Sequence, residues 1–232
     1  MKIIDLSHPI HLGMPVFPGT EPPRFEQANT LEDNGFIETK LTIYSHTGTH
    51  LDAPAHMRPE GLPLDQFCID DFIGTAVILD CTFSTPGGVD DASVARNYDK
   101  SGLITRQHLQ QYKEKISKAQ FVIFKTGWSK YWGVEDYYRG FPTLTEEAAS
   151  WLASLEQLKG IGVDTITIDQ MDSTTFPIHH ILFAKNLLVV ENLCNLDAVT
   201  TEYFTFSCLP LKTWQADGSP IRAVALSDDQ KA

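Results

Sequence analysis

His46-Thr47-Gly48-Thr49-His50-Leu51-Asp52-Ala53-Pro54-Ala55-His56 places three of the chain's 8 histidines and one aspartate in a single short stretch. A helix would bring His46 and His50 to one face but turn Asp52 roughly 120° away, and Gly48 and Pro54 both oppose a helix. In an extended chain, positions 46, 50, 52 and 56 share parity and project to one side. That parity continues the polar face of the preceding segment, whose alternation predicts a half-buried strand over 37–43. Two imidazoles and a carboxylate therefore emerge where a strand becomes a loop. Such a cluster reads either as half of a metal site or as a strand whose surface histidines are hydrated. Imidazole suits zinc, copper, iron or nickel, and a carboxylate extends the choice to manganese.

Outward from this stretch, short apolar or β-branched runs at 75–79, 121–124, 165–168 and 187–190 predict buried strands. Segments 203–209 and 221–226 read as late, antiparallel strands. Leu109, Tyr112 and Ile116 recur at helical spacing and predict a helix over 105–117. Ala148, Trp151, Leu152, Leu155 and Leu158 do the same over 143–158, with Thr143 and Glu146 matching a capping box and Gly160 a stop. Strands and helices mix without strict alternation, which indicates a layered α/β or α+β fold rather than a doubly wound sheet. No repeat or low-complexity tract divides the chain, so residues 1–232 read as one domain. The 84–102 stretch, rich in Gly, Pro, Asp and Ser, is long for a connection and reads as a binding loop, a lid or a surface excursion.

With 232 residues, the chain is long enough for a substantial core. Its 18 basic and 30 acidic side chains leave a net charge of −12, which argues against a nucleic-acid partner. No apolar run approaches the ~20 residues of a membrane span. Residues 1–9 show no apolar signal core, so the expectation is a cytoplasmic protein with no membrane partner. Cys68, Cys81, Cys194 and Cys208 form no CxxC pair, and are expected as reduced, buried, structural thiols. Without GxGxxG, a P-loop or GxSxG, neither a nucleotide cofactor nor a serine nucleophile has support.

A second cluster is His179-His180, followed by Glu191 at the end of the 187–190 run. A buried carboxylate there needs a cation as partner; the alternative is a strand-end glutamate turned to solvent. Other marked residues read as structural. Lys125 and Thr126 precede a turn at Gly127, and Asp164, Asp169 and Asp172 are expected in turn and loop hydrogen bonds. Trp128, Tyr131 and Trp132 read as packing, and His8, His11 and His108 lack spaced partners.

The first stretch matches HxGTHxDxPxH and resembles the signature of the cyclase family of metal-dependent hydrolases, which includes bacterial kynurenine formamidase and isatin hydrolase. The resemblance takes in Asp5-Leu6-Ser7, Met14-Pro15-Val16-Phe17-Pro18-Gly19, Lys125-Thr126-Gly127-Trp128 and Phe141-Pro142-Thr143-Leu144. It continues through Gly162-Val163-Asp164-Thr165-Ile166-Thr167-Ile168-Asp169 to His179-His180 and Glu191. It implies an α/β, layered β/β/α swivelling-domain fold and homo-oligomers, often dimers. It also implies one or two divalent ions, zinc or manganese. His46, His50 and Asp52 would bind the first; Asp52 could bridge to a second, for which His179 is the matching ligand and Glu191 a ligand reaching both. His56 matches the family's acid/base histidine, or else serves as a further ligand. The implied activity is hydrolysis of a small amide, an N-formyl aromatic amine or a cyclic amide, by metal-activated water. Competing readings are a Lewis-acid cyclase or dehydratase, and a metal-binding protein without turnover. Phe17 stands where kynurenine formamidases tend to carry Trp facing the substrate; it keeps an aromatic wall but loses the indole N–H.

Overall fold

The computed structural model describes residues 1–82 and 102–227. In chain order the strands are β1 (Lys2–Asp5), β2 (Arg24–Asn29), β3 (Glu38–Thr42), β4 (His50–Asp52), β5 (Ile73–Asp80), β6 (Leu103–Ile104) and β7 (Phe121–Lys125). They continue with β8 (Thr143–Leu144), β9 (Gly160–Val163), β10 (Leu188–Glu191), β11 (Tyr203–Ser207), β12 (Gly218–Pro220) and β13 (Val224–Ser227). The helices are α1 (Leu31–Asn34), α2 (Arg106–Gln110), α3 (Lys113–Ile116), α4 (Glu146–Ala153) and α5 (Pro177–Phe183).

Nine strands form one mixed sheet in the order β1-β13-β11-β5-β7-β9-β10-β4-β12. Its centre, β5-β7-β9-β10, is parallel. Parallel strands need cover on both faces, and β7, β9 and β10 are accordingly buried almost throughout. On one face Val77, Leu79, Val122, Phe124 and Val189 pack against Leu109, Ile116, Leu152 and Leu182 of the helices. On the other, Phe121, Ile123, Leu188 and Val190 meet Ile4, Leu51, Phe206 and Ala225 from the flanking antiparallel strands. The sheet curls around this second core until Ser7 bridges Leu193 and Cys194 N–H donates to Leu6 O at 2.9 Å. The architecture is mixed α/β, and the curl brings the start of the chain beside the end of β10.

Several sequence expectations shift. The 37–43 alternation is real, but β3 pairs only with β2 and is exposed along its length, so the strand is not half-buried. The strand expected at 165–168 lies earlier, at β9, and Gly160 opens it rather than stopping a helix. Asp164 ends β9 by turning its carboxylate to accept from Thr126 N–H, Thr126 Oγ1–H and Gly127 N–H. Ile166 and Ile168 are then buried by packing without a ladder. The 105–117 helix is broken into α2 and α3. The 143–158 helix shortens to α4, capped by Thr145, whose Oγ1 accepts from Ala148 N–H, while Thr143 belongs to β8. Ile221 only bridges Pro210, and the last strand is β13. No disulfide joins the four cysteines, all among the described residues, but Cys68 is exposed rather than buried. The 84–102 stretch lies, except for Gly102, outside the described residues. Among the described residues no helix is long and apolar enough to cross a membrane.

The Asp164 clamp ties the ends of β7 and β9 and starts the loop that reaches the site. Asp164→Ala orphans three donors, two of them buried and the third partly so, and is expected to cost roughly 3 kcal/mol, read as a lower denaturant midpoint at unchanged slope.

Candidate metal centre

Strand β4 supplies His50 and Asp52, whose side chains share a face by strand parity. Register places Glu191, the last residue of β10, directly opposite His50. His46 and His56 arrive differently from the extended expectation. Gly48, at φ 66°, turns the chain so that His46 folds back over the strand, and Pro54–His56 forms a single 3-10 turn. On the other edge of β4, Gly218 of β12 faces Asp52. A Cβ there would lie 2.5 Å from the His46 ring, so only glycine leaves room for the imidazole. His179 sits in the first turn of α5, which Pro177 opens.

These residues converge on Asp52. His46 Nδ1 lies 2.6 Å and His50 Nε2 3.1 Å from Asp52 Oδ1, while His179 Nε2 lies 3.6 Å from Oδ2. Glu191 spans the same space, with Oε2 3.5 Å from His50 Nε2 and Oε1 3.3 Å from His179 Nε2. Among the described residues three groups suited to a cation result: His46/His50/Asp52 and Asp52/His179/Glu191, which share Asp52, and His46/His56/Asp217 on the more open side.

The outward nitrogen of each imidazole is anchored. His50 Nδ1 meets Gly48 O at 2.8 Å, His179 Nδ1 meets Asp169 Oδ2 at 2.6 Å, and His46 Nε2 meets Asp217 Oδ2 at 3.0 Å. Such outer bonds fix the tautomer and aim the remaining nitrogen inward, as metal-binding histidines require. Asp169 does more than the expected turn bonding, because it also accepts from Ile178 N–H and His179 N–H and so holds the start of α5.

Electrostatics favour a cation. Asp52 is 1% and Glu191 5% exposed, and among the described residues no Lys or Arg lines the cavity around them. Burial works against ionised Asp52, yet His50 and His46 outweigh it and hold its carboxyl well below the usual range. Burial likewise opposes charge on His46, but Asp52 and Asp217 push its pKa up to about 10. His179 is raised for a matching reason, Asp169 overcoming burial. The protein thus gathers positive charge onto two buried carboxylates using only imidazoles. Nitrogen and carboxylate oxygen donors at this spacing fit zinc or manganese.

The cavity at the centre measures about 530 Å³ and is lined by all six sequence-predicted donors and acid/base candidates. Phe17 lies on its wall with Val16, Met57, Ile166 and Phe176. His56 packs against His46 with ring centroids 3.8 Å apart and the planes tilted by 36°. Burial, and then the neighbouring His46, lower the pKa of His56.

Three residues escaped the sequence reading. Asp217 contacts both His46 and His56, the latter at 3.6 Å. Asn192 donates from Nδ2 to Gly48 O, pinning the turn that delivers His46. Phe176 lines the cavity. An Asp-Gly pair signals a turn, which is all the sequence offers for Asp217. His8, read as lacking a partner, stacks on Trp132 at 3.9 Å, and burial lowers its pKa to about 4.

A family model named Cyclase, described as "Putative cyclase", matches residues 4–170. The kynurenine formamidase of Bacillus cytotoxicus is 30% identical over 222 residues, 95% of this chain and 95% of that protein. Isatin hydrolase A from Labrenzia aggregata, solved with benzyl benzoate, superposes with a TM-score of 0.81 at 25% identity, covering 98% of this chain and 94% of that one. A solved structure described as a potential metal-dependent hydrolase with cyclase activity gives a TM-score of 0.73 at 26% identity, over 97% of this chain and 96% of that one.

Asp169→Asn keeps the shape at 169 but takes the negative charge from His179. Uptake of Zn²⁺ or Mn²⁺, measured by equilibrium dialysis, is expected to weaken about tenfold to a hundredfold.

Proposed function

We propose that this chain, which belongs to the cyclase family, is a metal-dependent hydrolase that cleaves a small amide, either an N-formyl aromatic amine or a cyclic amide. The observation that carries the reading is the convergence of His46, His50, His179 and Glu191 on the buried Asp52, each imidazole braced from behind. His46, His50 and Asp52 would hold one divalent ion and Asp52, His179 and Glu191 a second, zinc or manganese. A cation bound there would acidify a water toward pKa ~7 and polarise the amide carbonyl.

The chain's own groups supply the rest. His56 is neutral at pH 7, because burial and His46 lower its pKa. With Nδ1 toward Asp217, its Nε2 takes the proton from the attacking water and returns it to the leaving nitrogen, the general acid–base role that suits an imidazole. Phe17, Val16, Met57 and Ile166 give the cavity apolar walls that favour a flat aryl group. No side-chain nucleophile is required. The relatives named as kynurenine formamidase and isatin hydrolase, the latter solved with benzyl benzoate, support both amide classes.

We extend the proposal to assembly: the protein is a homo-oligomer, as the family resemblance implies. The β2–β3 hairpin sets Phe25 opposite Leu41 on one face and Glu26 opposite Lys40 on the other, and the Phe25 and Leu41 side chains are bare. A lone two-stranded ribbon is marginal in water, so a second copy covering the Phe25–Leu41 face would stabilise it.

Metal-replete protein acting on formanilide in ¹⁸O water is expected to place one solvent oxygen in formate. Absence of label in a turned-over product would favour the cyclase or dehydratase chemistry instead. His50→Ala is expected to lose metal and activity together, whereas His56→Ala keeps its metal and loses about 10²- to 10⁴-fold in kcat. In light scattering, Leu41→Glu is expected to reduce the wild-type oligomer to monomer; a monomeric wild type would overturn the assembly proposal.

A further inference from the structure

Phe176 has a backbone that its residue type disfavours. It sits at φ 45°, ψ 52°, in the left-handed region, immediately before α5. Among the described residues the other non-glycine positions with positive φ are Asn186, Asn192, Asn195 and Gln215. Small amides tolerate this region by bonding locally, while a bulky aromatic there is a true outlier. Phe176 is also the N-cap of α5, but the first donors of that helix go to Asp169, so the side chain at 176 has no capping task to explain its presence, and Asn would ease the dihedral. For folding alone, Phe is the wrong residue at 176.

The conformation is fixed from both sides. Phe176 N–H donates to Ser173 Oγ at 3.0 Å, and Phe176 O accepts from His180 N–H at 3.1 Å. The ring does not repay the strain by core packing, since it joins none of the three apolar cores. It instead lines the cavity, half-buried, with its centroid 6.4 Å from the His179 imidazole and the two planes at 77°. Phe17 shares these properties, being a cavity-lining ring outside every core. Strain held by the surroundings at a cavity wall is the pattern of a residue kept for what it presents.

We propose that Phe176 is a specificity-determining residue, held in a strained backbone so that its ring forms, with Phe17, an aryl-binding wall beside the metal donors. This deepens the amide-hydrolase reading and rests on it for the identity of the ligand. The wall selects planar N-aryl or fused-ring amides over aliphatic ones through ring contact. Phe176 takes no part in proton transfer.

Phe176→Asn removes the ring while easing the dihedral, and Phe176→Leu keeps apolar bulk without a ring. Two readouts are combined. Calorimetry compares benzamide with cyclohexanecarboxamide, neither of which carries a formyl group, and kinetics compares formanilide with N-cyclohexylformamide. In both variants the aryl-over-alkyl preference is expected to fall about fivefold, in Kd and chiefly in KM, with metal content unchanged. Phe176→Asn is expected to melt at or above the wild-type temperature. An aryl preference within twofold of wild type in the folded variants would overturn the proposal, as would a wild type that binds the two carboxamides equally. If the wild type hydrolyses neither formamide yet prefers benzamide in a Phe176-dependent way, the hydrolase reading fails and the wall stands.

Discussion

Asp52 is a carboxylate with nowhere to go. Strand β4 lies between β10 and β12, so the side chain at 52 has neighbours on both sides and almost no contact with water. An ionised carboxylate in such a place is expensive unless it is surrounded by positive or donating groups. The nearby architecture answers that demand. Gly218 withdraws its side chain to admit His46, Gly48 turns the chain to deliver it, and Asp169 holds α5 so that His179 points inward. Glu191 then adds a second buried carboxylate opposite His50, one that also accepts from Ile168 N–H and so ties down the 165–168 loop. Imidazoles can balance two carboxylates only by carrying protons. A divalent ion balances them while leaving the imidazoles neutral.

Much of this was legible in the sequence because the donors are few and closely spaced. Parity correctly predicted that His50 and Asp52 share a face, and the apolar run before Glu191 correctly marked a buried strand end. The same parity argument reached His46 and His56 by the wrong route. They join the group through a left-handed turn and a 3-10 turn, features that side-chain alternation cannot encode. Asp217 was invisible because its contact with His46 spans 171 residues and depends on an edge strand pairing that no local pattern announces. The 165–168 run misled for a related reason. β-branched residues bury equally well in a loop pinned by Asp164, and composition does not record whether the ladder continues.

The hairpin shows the converse limit. Residues 37–43 alternate as a half-buried strand should, yet in a single chain the face so marked is bare. Alternation reports that one face avoids water, not which partner removes it. The central strands had no such ambiguity, because their apolar residues find partners on both sides within the same sheet and helix layer.

The two halves of the site are braced unequally, and this sets a direction. His50 and His179 are almost fully enclosed, and their outer partners, Gly48 O and Asp169, are themselves buried or backbone. His46 has about a fifth of its side chain exposed, and its brace, Asp217, nearly half. His56 stands on that same open side. The enclosed half is therefore the more firmly braced one, and the His46–His56–Asp217 flank is the side open to solvent. In the proposed reaction a proton leaving His56 would have water within reach there, while Phe17, itself exposed, and the half-buried Phe176 would be covered only by a ligand lying against them. One cavity of modest volume would then serve proton transfer on its polar flank and recognition on its apolar wall.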